Sequence, residues 1–202
     1  MTGAQILAAY TEIAKDDLFP VITITDSGVD ATMAMFFINL GAERVMRLLR
    51  IEAMDTFNFT SGQPTYNYET CTGTRFYEVS KVLVNGSELD RASMGDKYGY
   101  YTTDESLVFN LDYPTNTVIT LQGYKYAPAI ANDSNEITAI HKSCHLAIAM
   151  LAIVESCVGH EDDPSELTRL QRMEAIAEDV CQKRQNTLAM GTFPQTLFNG
   201  VK

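Results

Sequence analysis

The spacing of apolar residues changes twice along this chain, and that change limits the folds open to it. Apolar residues recur at helical spacing over residues 1–53, alternate with polar residues over 57–126, and return to helical spacing after residue 136. Helices at both ends of a chain that enclose a run of strands predict an α+β fold. We expect a helical bundle with an inserted antiparallel β-hairpin or sandwich domain and an extended C-terminal tail.

This order predicts four segments. They are an N-terminal helical part of the bundle (1–55), an inserted antiparallel β domain (56–130), a C-terminal helical hairpin that completes the bundle (131–190) and an extended tail (191–202).

Capping patterns predict where the helices begin. Thr2 and Gln5 form a capping box ahead of a helix over 3–16. A long helix over about 29–53 has apolar residues at helical spacing, and nothing in it suggests a site. Asp133 and Glu136 predict the start of a third helix, and Asp163-Pro164-Ser165-Glu166 opens a fourth that ends near Ala189. The apolar residues of the second helix are Met33, Phe36, Phe37, Leu40, Val45, Leu48 and Leu49.

The middle of the chain predicts hairpins. Asn85-Gly86 lies between alternating apolar residues, and this pair favours a two-residue turn because both positions need a positive φ. Aromatic and polar residues alternate in two further short runs. The predicted strands are Phe57–Phe59, Tyr66–Tyr68, 76–84, 87–89, 98–103, 106–112 and 118–126.

Composition excludes several classes of protein. No apolar run reaches the roughly 18–20 residues that a membrane-spanning helix needs, and no signal peptide is expected. The cysteines are scattered and form no C-x-x-C pair, which indicates reduced, buried thiols in a cytosolic setting. They are Cys71, Cys144, Cys157 and Cys181.

The net charge of −11 is unevenly spread along the sequence. Residues 51–140 carry 12 acidic and 5 basic groups, whereas the segments on either side have a net charge of −2 each. An acidic surface repels phosphate, so tight nucleic-acid binding by the hairpin region is not expected. Such a surface could face passing DNA without holding it.

One pair of histidines offers a metal-site hypothesis. His141 and His145 have the spacing of the H-E-x-x-H zinc proteases, with Cys144 on the same predicted helix. Lys142 stands where those enzymes have their catalytic glutamate, and it cannot act as that base. We expect Cys144 to pack in the core and the histidines to flank it. A metal-dependent hydrolase that uses His141 and His145 remains an alternative.

Three other groups have a functional and a structural interpretation. Cys71 could be an exposed nucleophile, but we expect a loop or edge-strand residue. The acidic run 161–163 could bind a cation, but it suits the cap of the following helix. Tyr98, Tyr100 and Tyr101 could stack single-stranded nucleic acid, although acidic neighbours favour a sheet-face or interface role. A peptide-binding module that uses the hairpin sheet is a further alternative.

Four stretches of the chain resemble the head-to-tail adaptor (connector) proteins of tailed bacteriophages. The resemblance covers about residues 1–190, and its motifs are structural patterns without an active-site signature. The stretches are Phe36–Val45, Phe76–Leu89, Val118–Pro128 and Glu136–Ile140.

The resemblance implies a non-enzymatic structural virion protein without a cofactor. Such proteins form homo-oligomeric rings, typically dodecamers, below the portal protein in the neck of a virion assembled in the host cytoplasm. The ring joins the portal to tail or nozzle proteins and lines the channel through which DNA leaves without tight binding. A tail-tube or head-closure component is the alternative within this class.

The resemblance also assigns interfaces. The C-terminal segment of such proteins docks on the portal, so the anchors here would be Phe193, Pro194, Leu197, Phe198 and Val201. Together with the charge distribution, it predicts that acidic hairpins face the channel or the tail. These acidic residues are Glu88, Asp90, Asp96, Asp104 and Glu105.

Overall fold

The computed structural model describes residues 1–16, 24–25, 28–29, 31–93, 96–103, 105–131, 136–157 and 164–191. The chain divides into two compact units. The helical unit comprises Met1–Leu49 and Ala127–Lys202, and the β unit comprises Arg50–Tyr126. The helices described are α1 (Gly3–Asp16), α2 (Ala31–Leu49), α3 (Tyr68–Thr72), α4 (His145–Cys157) and α5 (Pro164–Gly191). The strands described are β1 (Ile24–Thr25), β2 (Gly28–Val29), β3 (Glu52–Asn58), β4 (Thr65–Asn67), β5 (Phe76–Val84), β6 (Ser87–Leu89), β7 (Tyr100–Thr102), β8 (Ser106–Phe109) and β9 (Val118–Lys125).

The prediction of a mixed α+β fold with antiparallel strands is confirmed. All strand pairs among the described residues are antiparallel, apart from one isolated bridge between Arg91 and Tyr100. No helix in the described part of the chain is long and apolar enough to cross a membrane.

The N-terminal helix begins at its predicted capping box. The Gln5 amide donates to Thr2 Oγ1 at 3.2 Å, and the Thr2 amide donates to Gln5 Oε1 at 2.8 Å. These bonds satisfy donors that the first turn of a helix otherwise leaves unpaired. Helix α1 then buries Ile6, Tyr10 and Ala14 on one face.

Helix α4 lies at the centre of the helical unit and packs against α1, α2 and α5. Its residues are buried on almost every side, as expected of a helix that is apolar all round. Gly41 of α2 lies so close to α4 that a Cβ placed on it would be 2.5 Å from the Ile148 carbonyl oxygen. Glycine therefore allows the backbones of α2 and α4 to cross in direct contact.

Two predicted helix bounds are wrong. Helix α2 ends at Leu49 instead of residue 53, because Arg50 has a left-handed φ of 49° and strand β3 begins at Glu52. Helix α4 begins at His145 instead of near Asp133, which lies outside the described residues. The backbone of Glu136 pairs with that of Thr2, so this segment is bridged to the N-terminus before any helix starts.

The β unit contains two sheets with the strand orders β3-β9-β5-β6 and β4-β8-β7. Residues of both sheets form one core, in which aromatic rings meet edge to face. Phe59, for example, lies 5.3 Å from Phe109 between ring centroids. The buried members are Phe57, Phe59, Tyr66, Tyr68, Phe76, Val79, Val82, Tyr100, Leu107, Phe109, Ile119 and Leu121.

The predicted hairpin at Asn85-Gly86 is confirmed. Val84 pairs with Ser87, and the two turn residues have φ values of 48° and 83°. The predicted strand at Tyr66–Tyr68 is wrong at its end, because Tyr68 begins the short helix α3. Asn67 caps that helix by accepting a hydrogen bond from the Thr70 amide at 3.1 Å, and Gly73 ends it with a φ of 75°.

Candidate assembly surfaces

The two histidines do not form the predicted pair on one helix. His141 precedes the 3-10 turn Lys142–Cys144 and caps it, with its Nδ1 3.3 Å from the Ser143 amide. His145 is buried, with Nε2 2.7 Å from the Ile140 carbonyl oxygen and Nδ1 2.8 Å from the Met1 amino group. Nε2 therefore donates and Nδ1 accepts, so both ring nitrogens are used and neither can ligate a metal in this arrangement.

The electrostatics of His145 fit this interpretation. Burial lowers the pKa of His145 most, while the hydrogen bond to Ile140 opposes that shift. The neutral imidazole is the form that accepts from the amino group. Within the described residues, no group of three or more histidine, cysteine, aspartate or glutamate side chains could hold a metal ion.

The cysteines are free thiols, as predicted. Cys144 is buried in the core, which confirms the structural interpretation of that residue. Cys71 lies in helix α3, so its predicted loop or edge-strand position is wrong. Burial raises the pKa of Cys71 to about 11, which keeps its thiol protonated near neutral pH.

The predicted acidic set does not form one cluster. Glu88 pairs with Lys81 at 2.7 Å, and Asp96 accepts a hydrogen bond from the Ser93 amide at 2.6 Å. Glu105 lies in the turn between β7 and β8, at the end of these strands opposite the loop that contains Asp96. Asp90 is exposed, whereas Asp104 lies outside the described residues.

The acidic residues are not concentrated in the β unit. The β unit has ten acidic and six basic residues, a net charge of −4, and the helical unit carries the remaining −7. The sequence window 51–140 exaggerated the difference because it included Asp133 and Glu136 and left out Arg50. Relative to their lengths, the two units are equally acidic.

The three tyrosines proposed as a stacking platform are in different environments. Tyr100 is buried in the β core, Tyr101 is half-buried and Tyr98 is 70 % exposed. A platform for bases would need rings presented together on the surface. Tyr98 alone has that exposure.

Helix α2 presents an apolar stripe that the sequence interpretation missed. Met33 and Phe36 are 56 % and 57 % exposed, and Phe37 lies edge to face with Phe36 at 5.4 Å between ring centroids. The buried face of α2 uses other positions, among them Ile38 and Val45. We call Met33, Phe36 and Phe37 the α2 stripe. Its signal in the sequence is an apolar arc too broad for one helix face to bury.

Exposed apolar residues also occur on other elements. Leu146 of α4 and Ile176 of α5 are 47 % and 43 % exposed in the helical unit. Met54 and Val118 are exposed on the outer side of the four-stranded sheet in the β unit. Scattered exposed residues are normal on a soluble surface, whereas two adjacent aromatic rings and a methionine form a patch.

Three helices meet at a charged group. Arg44 of α2 contacts Glu155 of α4 at 3.1 Å and also Glu174 and Glu178 of α5. Burial lowers the pKa of Arg44, but the hydrogen bonds and charges of Glu174 and Glu155 outweigh that effect and raise it. We call this group the Arg44 cluster.

The sequence model of the SU10 adaptor protein matches residues 1–193, nearly the whole chain. The chain belongs to the SU10 adaptor protein family. This is a family of phage head-to-tail adaptors, so the resemblance inferred from the sequence is confirmed. No curated protein matches the chain.

Membership makes this SU10 adaptor a structural phage protein. The surfaces described above therefore matter as places where an adaptor can contact other proteins. The five predicted portal anchors of the C-terminal tail lie outside the described residues. The α2 stripe lies within them.

Proposed function

We propose that this protein is a subunit of a head-to-tail adaptor ring in the neck of a phage virion. The ring, a dodecamer assembled in the host cytoplasm, docks on the portal through its C-terminal tails and joins the portal to tail or nozzle proteins. The channel inside it conducts DNA without binding it tightly. The observation that carries this proposal is the family match over residues 1–193.

The α2 stripe supports self-association. In a ring, one surface of each copy contacts a different surface of the next copy, so each copy needs two different surfaces. The α2 stripe is one apolar surface of the helical unit, and Leu146 or Ile176 marks a second. Phe36 is 57 % exposed. Since a fully buried aromatic side chain buries roughly 150–250 Å², its exposed part has an area of about 100 Å². An interface between two copies needs about 800 Å² per partner, so the stripe would form one part of it.

A double substitution tests the ring contact. Phe36→Ser with Met33→Ser removes exposed apolar area without cutting into the core, so the subunit should fold but fail to form rings. Sedimentation velocity and native mass spectrometry measure the ring in the presence of portal. Met54→Ser is the matched control, since Met54 is 65 % exposed on the β unit. Rings of unchanged size and stability in the double variant would contradict this interface.

The apolar residues of the C-terminal tail support portal docking. Phe193, Leu197, Phe198 and Val201 occur within nine residues, and such residues are suited to anchor in grooves of a partner. Cosedimentation with portal rings compares the intact chain with one truncated after Gly191. A variant with these four residues changed to serine tests the side chains, and Gln195→Ser is its control.

The outcomes separate three cases. Loss of binding on truncation supports docking through the tail. Binding that survives truncation keeps the adaptor function but assigns the interface to the helical unit. Failure of both forms to bind favours a tail-tube or head-closure component instead.

The acidic residues Glu88, Asp90, Asp96, Asp104 and Glu105 are proposed to face the channel or the tail. Their support is their charge and, for the four described, their exposure, since negative groups repel the DNA backbone. Replacing Glu88, Asp90 and Asp96 with lysine should increase retention of DNA in a filter-binding assay at low salt. A ring whose channel has a net positive potential would contradict the proposal.

A further inference from the structure

Strand β3 forms an open edge of the four-stranded sheet. The strand order β3-β9-β5-β6 gives it a neighbour on one side, and no strand of the described residues pairs with its other side. β3 is seven residues long, whereas the other edge strands of the β unit, β4, β6 and β7, have three residues each. Its pairing with β9 has no bulge. A long edge without a bulge is a template for a further strand.

Hydrogen bonds at the two ends of β3 show which of its backbone groups face β9. The Phe59 amide donates to the Thr117 carbonyl oxygen at 2.8 Å, and the Lys125 amide donates to the Ile51 carbonyl oxygen at 3.2 Å. In an antiparallel pair, residues that bond across the ladder alternate with residues that do not. The odd-numbered residues of β3 therefore bond to β9, and the even-numbered residues direct their N–H and C=O groups outward. The outward residues are Glu52, Met54, Thr56 and Asn58.

These outward residues are accessible. All four are exposed, and Met54 is 65 % exposed. Within the described part of the chain, no hydrogen bond outside the β3–β9 ladder uses a backbone group of these residues. Their backbone donors and acceptors are thus open to a partner. An extended peptide satisfies such groups when it adds a strand to a sheet.

The charge of β3 indicates the chemistry of that partner. Its two charged residues, Glu52 and Asp55, are both acidic, and neither has an ion pair among the described residues. Opposite charges directly across a strand pair are favourable, so a basic segment fits this edge. A second copy of β3 would bring further carboxylates to it. The C-terminal tail 192–202 fits poorly as well, because its sequence contains a single cation, Lys202.

A groove lies next to this edge on the outer face of the sheet. It has a volume of about 400 Å³, and its lining includes Met54 of β3, Gln122 of β9 and Ser80 of β5. Gln122 Nε2 donates to Met54 Sδ at 3.3 Å, which holds the methionine side chain against β9. An apolar side chain directly opposite Met54 would contact it across the strand pair.

We propose that the outward edge of β3 binds an extended basic segment of another protein, which adds a fifth strand to the four-stranded sheet. In an antiparallel arrangement, this segment presents a cation opposite Asp55, an apolar residue opposite Met54 and a second cation opposite Glu52. Its backbone bonds to the outward N–H and C=O groups of β3. The contact is additional to the ring contact and to the portal contact of the tail.

A capped peptide tests the proposal on the full-length protein. The peptide Thr-Val-Thr-Lys-Leu-Val-Lys follows the pattern derived from β3, and Thr-Val-Thr-Glu-Leu-Val-Glu is its control with the charges reversed. Fluorescence anisotropy of the labelled peptides measures both affinities. The basic peptide should bind at least about fourfold more tightly, because each exposed ion pair changes an affinity by about two- to fivefold.

Two variants at Thr56 separate docking from folding. Proline removes one N–H group and is tolerated on an edge strand where that group faces solvent. Thr56→Pro should therefore fold but bind the basic peptide at least about tenfold more weakly, since a bond and the close approach of the strand are lost. Thr56→Val keeps the N–H group and should bind as the wild type does. Near-ultraviolet circular dichroism checks that the β unit is folded in both variants.

Amide hydrogen exchange, followed by NMR, needs no variant. In the free protein, the outward amides of Met54 and Thr56 should exchange quickly, whereas those of Asp55 and Phe57 should be protected by their bonds to β9. A saturating concentration of the basic peptide should slow exchange at Met54 and Thr56 at least about tenfold. Exchange at Asp55 and Phe57 should change much less.

Several results would overturn the proposal. They are slow exchange at Met54 and Thr56 in the free protein, equal affinity for the two peptides, unchanged binding by Thr56→Pro, and protection of β6 or β7 in place of β3. Protection of β3 that increases with protein concentration alone would make a second copy the occupant and would overturn it as well. The experiment uses no portal, so its outcome leaves the adaptor proposal untouched.

Discussion

Replacing Arg44 with alanine removes one side chain that contacts helices α4 and α5 together. The guanidinium pairs with Glu155 of α4 and with Glu174 and Glu178 of α5, and the side chains involved are 28–46 % exposed. The substitution leaves three carboxylates near one another without their shared cation. Helix packing around the Arg44 cluster should weaken.

The expected loss in the free energy of unfolding follows from the partial exposure of these side chains. A single exposed ion pair contributes about 0.2–1 kcal/mol, because water and salt screen it. Three pairs on one guanidinium, with part of each side chain shielded, should together contribute about 2 kcal/mol to the free energy of unfolding of the helical unit. With a urea dependence of about 1–3 kcal/mol per molar, the midpoint should fall by roughly 1 M.

The distribution of tyrosines allows the two units to be followed separately. Nine of the ten tyrosines lie in the β unit, and Tyr10 is the exception. Far-ultraviolet circular dichroism reports mainly the helical unit, and near-ultraviolet tyrosine signals report mainly the β unit. Arg44→Ala should shift the helical transition, and the shift should shrink in 1 M salt because the screening length falls to about 3 Å.

Lys183→Ala is the matched control. Lys183 pairs with Asp179 one turn away on α5, at 2.6 Å, and both side chains are more than half exposed. Its loss should cost at most about 0.5 kcal/mol. An unchanged helical transition in Arg44→Ala, or an equal effect in Lys183→Ala, would refute the reasoning.

Three further predictions concern single side chains. Because burial lowers the pKa of His145, the unfolded chain takes up a proton below about pH 6.5 that the folded chain does not, so stability should decrease as the pH falls from there. Urea unfolding at pH 7.5 and 5.5 should show this decrease, and His145→Gln should reduce it. Gly41→Ala should destabilise the helical unit by about 1–3 kcal/mol in the same assay, because its Cβ meets the backbone of α4. Alkylation of Cys71 by iodoacetamide at pH 7.5 should be roughly 100-fold slower in the folded protein than in urea, measured by mass spectrometry of peptide 51–75, because its pKa is about 11.

Each of these has an outcome that contradicts it. For His145, the control His141→Gln should keep the pH dependence, and an equal loss in that variant would exclude His145 as its source. An increase in stability of about 1 kcal/mol in Gly41→Ala would mean that helix propensity, and not a clash with α4, determines the effect of the substitution. Equal alkylation rates of Cys71 in folded and unfolded protein would exclude burial of its thiol.

The sequence predicts structure correctly where a few neighbouring residues determine it. The capping box of Thr2 and Gln5 and the turn at Asn85-Gly86 each depend on contacts within three residues. Helix α3 carries a similar local signal, since Asn67 precedes it and Gly73 follows it. Alternating aromatic residues concealed that signal by predicting a strand.

Long-range contacts decided the features that the sequence could not reveal. Helix α4 begins late because residues near Glu136 pair with the N-terminus, and His145 finds its partner 144 residues away at Met1. The Arg44 cluster likewise joins residues that are 111–134 positions apart. Hydrophobic spacing identifies α2 as a helix but does not show which of its apolar residues a neighbour covers, so the exposure of the α2 stripe could not be predicted.

The insertion of the β unit between the two parts of the helical unit affects how the chain is made. The partners of α1 and α2 are α4 and α5, which leave the ribosome only after the whole β unit. At about 5–20 residues per second, the roughly one hundred residues between α2 and the end of α4 take about 5–20 s to synthesise.

During that interval both the buried face of α2 and the α2 stripe are open to other nascent chains. The β unit can complete its own sheets in the same period, since Lys125 returns to donate to the Ile51 carbonyl oxygen at 3.2 Å. Conditions that slow synthesis through this stretch should therefore favour chains that exchange α1 and α2 with one another. Chains that are translated from one messenger RNA lie close together on the polysome. Domain-swapped dimers that exchange α1 and α2 would therefore be the characteristic by-product of producing this adaptor.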